Sequence, residues 1–312
     1  MTTRLVRALT DAYVAAEAAG IEDQALSKSI SDIFLANHLG HRLLPGGQGA
    51  DAIDSDGNHY EYKCNTGNRV QCIFNLGANR GLDTNIRHVR AKFAGIEGIY
   101  YAQLAWGQVG QVAYIPTRYF LPALEQHIEN SVRGGLLAWN LPWESFLRLQ
   151  GTRLVQGSLV PTYPNVATPL LNAHLEAQRL GLDMGLFAKG AHNHLFLAQR
   201  EGHRIPVGGH QGHDAVDDAG GYEYKISMAG IYNFHFGARK SEQENRALIS
   251  AKCNGIVAAY CAERTYARLT TIYRIPAEPL LRLLLARERA TGGGQMNLQI
   301  PKSELRPFRT FP

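Results

Sequence analysis

Apolar residues recur at helical spacing over residues 4–19 and 24–39, and the period then changes. From about residue 50 to 64 polar and apolar positions suit a hairpin turning at "DSDGN", where Asp-Gly favours a tight turn. "RVQCIF" predicts a further strand, residues 83–94 a helix, and "GIYYAQLA" and "VGQVAYIP" two more strands rich in β-branched and aromatic side chains. The order is α-β-β-β-α-β-β. It predicts an α/β fold with a mixed central sheet flanked by helices.

The chain then repeats itself. "GHRLLPGGQGADAIDSDGNHYEYK" (40–63) resembles "GHRIPVGGHQGHDAVDDAGGYEYK" (202–225). Gly40-His41-Arg42 matches Gly202-His203-Arg204, and Glu61-Tyr62-Lys63 matches Glu223-Tyr224-Lys225, both at an offset of 162. Upstream, "FLA" at 34–36 matches "FLA" at 196–198. Downstream, Gly95-Ile96 pairs with Gly255-Ile256 and Ile115-Pro116 with Ile275-Pro276, while "GIVAAYCA" and "RLTTIYRIP" repeat the last two strands. The period far exceeds that of solenoid repeats, and each copy is long enough for its own core. The reading is two tandem domains, residues 1–150 and 168–312, related by a pseudo-two-fold, with the Gly-, Pro- and Thr-punctuated segment 151–167 as linker.

Composition narrows the picture modestly. A net charge of +5 and a pI of about 9.0 allow a polyanionic partner without requiring one. No apolar run is long enough to span a bilayer. The N-terminal stretch reads as a helix and not a signal peptide. Cys64, Cys72, Cys253 and Cys261 show no metal-finger spacing, and a cytoplasmic location is expected.

The chemistry lies in the doubled hairpin. Asp51, Glu61 and Lys63 recur as Asp214, Glu223 and Lys225, while neighbours diverge: Ala50 faces His213 and Asn65 faces Ser227. Glutamate and lysine two apart on a strand share a face, and the intervening tyrosine points away. A hairpin brings the aspartate beside the glutamate. Two carboxylates with waters and a phosphate oxygen suit Mg²⁺, and an ammonium beside them suits phosphodiester hydrolysis. Asp54 and Asp217 read as turn residues or as partners outside the metal pair.

The pattern Gly-x-Asp, apolar, turn, aromatic-Glu-x-Lys resembles the PD-(D/E)xK nuclease superfamily, the fold of most type II restriction endonucleases. The resemblance covers the hairpin motif in each copy and the element order around it. It lacks the proline before the aspartate, where Ala50 and His213 stand. It implies two restriction-endonuclease-like domains, Asp51, Glu61, Asp214 and Glu223 as Mg²⁺ ligands with Mn²⁺ a possible substitute, and Lys63 and Lys225 as catalytic. Some members add a first-helix glutamate. Glu22 lies near that position, but Met184 falls opposite it, so the role is not assigned.

Two sites in one chain suggest a monomer that cuts one strand of double-stranded DNA with each repeat, accompanied by a cognate DNA methyltransferase. DNA contacts are expected at Arg80, Asn85 and Lys92 and at Arg239, Lys240, Asn245 and Lys252, on the segments that follow the catalytic strands. Arg87, Arg90, Arg239 and Arg246 lack basic counterparts and could read different half-sites. A structure-specific repair nuclease and a non-catalytic DNA-binding protein are the rival readings. His192 and His194 lack enough companions for a zinc site, and His210 and His213 are not shared by the first copy. Trp106, Trp139 and Trp143 read as packing residues.

Overall fold

A computed structural model describes residues 3–21, 30–44, 49–65, 69–74, 81–105, 108–131, 137–182, 192–206, 214–235, 243–244, 247, 255–261, 268–290 and 297–310. The chain divides into two compact units, Val14–His174, and Leu175–Pro312 with Met1–Tyr13. The divisions fall inside two helices, α1 (Thr3–Ala18) and α6 (Pro164–Arg179). Each unit thus takes its sheet from one repeat and half a helix from the other.

In the unit Val14–His174, α2 (Ile30–Leu39) buries Ile33, Phe34, Leu35 and Ala36. Gly40, at φ 74°, ends it in the left-handed region, and the His41 N–H closes the helix on the Ala36 carbonyl at 3.0 Å. Strands β1 (Arg42–Leu43), β2 (Ala52–Ile53) and β3 (His59–Asn65) follow. After β4 (Arg69–Phe74) and α3 (Leu82–Phe93) come β5 (Ile96–Ala105), β6 (Gln108–Pro116), α4 (Thr117–Ser131), β7 (Leu137–Pro142), α5 (Trp143–Leu147) and β8 (Arg153–Val155). The six-stranded sheet has the order β1-β2-β3-β5-β6-β8; β3 and β5 are parallel and the other neighbours antiparallel. β2 and β5 occupy both edges of β3, so β4 leaves the sheet and pairs antiparallel with β7.

One sheet face packs Ile99, Tyr101 and Ile115 against Val89 and Phe93 of α3 and Phe120, Leu124 and Ile128 of α4. Burying such side chains contributes about 1.5–3 kcal/mol each. Trp139 and Trp143 belong to this core, whereas the Trp106 side chain lies outside the described residues. On α6, His174 meets Phe34 at 5.8 Å. The segment expected as a linker supplies the last strand, because Arg153–Val155 pair with the otherwise open edge of β6.

The other unit contains α7 (His194–Glu201), β9 (Ala215–Val216), β10 (Gly221–Ser227), β11 (Ile231–His235), β12 (Gly255–Tyr260), β13 (Thr271–Pro276), α8 (Ala277–Ala290), β14 (Asn297–Pro301) and β15 (Arg309–Thr310). Its sheet runs β15-β13-β12-β10-β9, again mixed, with β10 parallel to β12 and β11 paired separately with β14. β12 is buried on both faces. Ile256 and Ala258 meet Leu280 and Leu284 of α8, while Val257 and Ala259 meet Leu197 and Ala198 of α7. Tyr13 of α1 donates its hydroxyl to Asn193 and meets Phe196 edge-on at 5.5 Å. Phe34 and Phe196 are matched positions, so each unit seats a helix half on the same aromatic.

Register corrects one sequence pairing. Glu61 and Lys63 stand opposite Ile99 and Tyr101; Glu223 and Lys225 stand opposite Ile256 and Ala258. The counterpart of Gly255-Ile256 is therefore Gly98-Ile99, not Gly95-Ile96. "GIEGI" contains two Gly-Ile pairs, and only the sheet selects between them. Gly98 faces Pro116 and Gly255 faces Pro276. A Cβ on Gly98 would lie 2.4 Å from the Tyr114 ring and 2.7 Å from the Ile115 carbonyl oxygen; one on Gly255 would lie 2.7 Å from the Ile275 carbonyl oxygen. Among the described residues no helix is long and apolar enough to cross a membrane.

Gly98→Ala and Gly255→Ala should each destabilise the protein by about 1–3 kcal/mol, the usual cost of overpacking. Urea unfolding would measure this, and unchanged midpoints in both variants would contradict the close approach.

Candidate active site

Each hairpin is set by an aspartate in its turn. Asp54 Oδ1 accepts the Asp56 and Asn58 N–H groups at 2.9 Å, and its Oδ2 accepts the Tyr60 hydroxyl at 2.8 Å. Asp217 Oδ1 accepts the Ala219 N–H at 2.8 Å and the Gly220 N–H at 3.0 Å, while Oδ2 accepts the Tyr222 hydroxyl at 3.1 Å. Both are turn residues.

Alternation along β3 and β10 separates two chemistries. On one face, the Tyr62 hydroxyl bonds His41 Nδ1 at 2.8 Å, and the His41 ring stacks on Tyr60 at 5.0 Å. The second copy repeats this. Tyr224 bonds His203 Nδ1 at 2.8 Å, and His203 stacks on Tyr222 at 4.4 Å. Burial pushes both Tyr62 and Tyr224 hydroxyls up from their ordinary pKa. Burial also lowers His41, with the Asp54 carboxylate opposing it. The matched histidine of the Gly-His-Arg motif thus anchors the tyrosine between the glutamate and lysine. Its exact recurrence beside Glu-Tyr-Lys was the available sequence signal.

The other face carries the acids. The Asp51 N–H donates to the Tyr60 carbonyl at 2.8 Å, and Asp51 Oδ2 accepts the Tyr62 N–H at 2.7 Å. In the second copy, the Asp214 N–H meets the Tyr222 carbonyl at 2.9 Å and Oδ2 accepts the Tyr224 N–H at 2.8 Å. The aspartate is therefore held beside the strand that bears the glutamate. Glu61 Oε1 receives Lys63 Nζ at 2.7 Å and Lys92 Nζ at 3.0 Å. Glu223 Oε1 receives Lys225 Nζ at 2.5 Å.

The copies differ in charge balance. The Glu61 side chain is 4% exposed and that of Glu223 is 32% exposed. Burial pushes the Asp51 carboxyl up, the Glu61 charge adds to this, and Lys63, the Tyr62 N–H and Lys92 only partly offset them. Burial also acts on Glu61, but Lys63 and Lys92 outweigh it and hold that carboxyl below its ordinary value. Burial acts on Asp214 too; there His194, with Nδ1 3.5 Å from Oδ1, together with the Tyr224 N–H and Lys225, outweighs it and lowers the carboxyl. A pair of hard carboxylates suits a divalent cation such as Mg²⁺. Among the described residues no three His, Cys, Asp or Glu side chains gather into one cluster, so each copy offers its carboxylate pair.

The remaining expected residues fall in several places. Lys92 lies on the Glu61 carboxylate. Asn85 is 5% exposed and shares the buried stripe of α3 with Val89 and Phe93, a correction to its expected DNA contact: the helix spends that face on the core. Arg90 is held by Glu125 through two bonds of 2.6 and 2.8 Å, and Arg87 stays on its own helix with Asp83 and Thr84. Arg80, Arg239, Lys240, Asn245, Arg246 and Lys252 lie outside the described residues, as do Glu22, Met184, His210 and His213. His192 is buried 3.2 Å from the Tyr13 hydroxyl. Sequence reasoning missed the arrival of Lys92 and His194 at the acids. No protein-family model matches the chain, and no curated protein is significantly similar to it.

The two aspartates should respond oppositely to neutralisation. Asp51, raised in the fold, contributes stability at low pH that is lost as pH rises through the raised value. Asp214, lowered, contributes stability above the ordinary carboxylate pKa that is lost as pH falls through the lowered value. At pH 7 without metal, Asp51→Asn should raise the melting temperature and Asp214→Asn should lower it. Equal shifts of one sign would refute the asymmetry.

Proposed function

We propose that the protein is a Mg²⁺-dependent endonuclease of the PD-(D/E)xK restriction type, a monomer in which each repeat hydrolyses one strand of double-stranded DNA. The observation carrying this reading is the doubled geometry. An aspartate pinned by the backbone N–H between glutamate and lysine occurs twice, on matched strands, with the lysine on the glutamate at 2.7 and 2.5 Å. A duplication copies neutral residues too, but here some neighbours diverged while the aspartate bond to the strand N–H and the lysine–glutamate bond did not.

Asp51 with Glu61, and Asp214 with Glu223, would hold the ion. Bound there, Mg²⁺ would supply charge neutralisation on the phosphate and a water of lowered pKa. Lys63 and Lys225 would orient the attacking water and stabilise negative charge growing on the phosphate. Lys92 brings a second ammonium to the first site. The pseudo-two-fold between repeats would set the sites against opposite strands, and the different copies would read unlike half-sites. A cytoplasmic enzyme of this kind needs a companion methyltransferase to protect its own target.

Supercoiled plasmid with Mg²⁺ tests the reading. The wild-type protein should give linear DNA with common ends. Lys63→Ala and Lys225→Ala should each slow one strand's cleavage by about 100-fold or more and leave nicked circles, and the double variant should leave the plasmid supercoiled. A smear or branch-dependent cutting would favour a repair nuclease. No cutting in any divalent metal would leave a DNA-binding protein.

A further inference from the structure

The two sites are not copies of one another where the helix before the hairpin meets the acids. Residues 32 and 194 are matched positions, near the start of α2 and at the start of α7. In the first repeat the position is Asp32, whose Oδ1 lies 3.7 Å from the Cys64 sulfur. In the second it is His194, whose Nδ1 lies 3.5 Å from Asp214 Oδ1.

That spacing is informative. A charge-assisted N–H···O bond is about 2.7–2.9 Å long, so 3.5 Å is poor for a hydrogen bond. Two donors bound to one ion at about 2.0–2.2 Å stand roughly 3.0–3.5 Å apart, according to coordination geometry. Asp214 already commits Oδ2 to the Tyr224 N–H, which leaves Oδ1, the atom facing the imidazole, for an ion. The ring is held edge-on against Tyr224 at 5.7 Å, and both side chains remain partly open, 24% for His194 and 16% for Asp214. An imidazole nitrogen is a ligand for Mn²⁺, Co²⁺ or Zn²⁺ and a poor one for Mg²⁺, which prefers oxygen.

We propose that His194 is a nitrogen ligand to a divalent cation shared with Asp214, so that the second site prefers Mn²⁺ or a softer ion while the all-oxygen first site takes Mg²⁺. This rests on the metal-dependent reading of the doubled hairpin. His194 and Asp214 form a two-residue bite, with substrate phosphate and water as the further donors, while Glu223 is held by Lys225.

The test uses the full chain with the first site's acids removed (Asp51→Asn, Glu61→Gln) and Mn²⁺ alone as probe. Electron spin-echo spectroscopy of bound Mn²⁺ should show imidazole ¹⁴N modulation. His194→Ala should abolish it and weaken Mn²⁺ binding by about ten-fold or more, a loss that even removal of an outer ligand partner can cause. His194→Asp, which installs the first repeat's residue, should also abolish it. That variant should lower the Mn²⁺-to-Mg²⁺ ratio of plasmid nicking when Lys63→Ala silences the first site. Thermal unfolding checks that both variants fold.

Mn²⁺ bound in an Asp214-dependent way without nitrogen modulation would overturn the proposal and leave the nuclease reading standing, as would modulation that survives in both His194 variants. Absence of any Asp214-dependent binding would overturn it too. Nicking by the second site would then show whether the nuclease reading had failed with it.

Discussion

The Tyr62 N–H donates to the Asp51 side chain, and the Tyr224 N–H does the same for Asp214. β2 and β9 are each two residues long, so their ladders stop at Tyr60 and Tyr222. The next inward N–H has no backbone carbonyl to meet on that side. An unsatisfied N–H there would cost about 1–3 kcal/mol, and the aspartate removes the deficit by extending the ladder with its side chain. The structural need and the site are thus met by the same atom pair. One carboxylate oxygen is spent on the sheet and the other is left for a further partner, which for Asp214 is the His194 imidazole.

That geometry forces a charge problem, which the repeats solve differently. In the first, Glu61 is nearly sealed from solvent and receives two ammonium groups. In the second, Glu223 is more open with Lys225, and an imidazole stands at the aspartate. A buried carboxylate without such partners is strongly disfavoured. The two repeats therefore differ in which side chain stands at the acids, Lys92 in the first and His194 in the second.

Much of this was readable in the chain. Period-two alternation separates Glu61 and Lys63 from Tyr62, and self-similarity places the same set at Glu223, Lys225 and Tyr224. Both signals are local or depend only on residue identity. What escaped depends on distant approach. Parallel pairing of β3 with β5 decides between the Gly95-Ile96 and Gly98-Ile99 pairs, and no spacing rule within "GIEGI" could do so. Lys92 reaches Glu61 across 31 residues of chain, and Asn85, seven positions before it, is buried instead. Arg153–Val155 carry the punctuation of a tether yet close a sheet edge. The role of His41 and His203 was visible as identity but not as contact.

The chain's division through α1 and α6 bears on how such a protein changes over time. Each compact unit includes half a helix encoded with the opposite repeat, with Tyr13 seated on Phe196 in one and His174 on Phe34 in the other. A deletion that returned the gene to a single copy would strip the surviving sheet of its borrowed helix half. Loss of either repeat would therefore remove packing from the one that remains. With both copies retained, single positions can still diverge, as His194 has from Asp32.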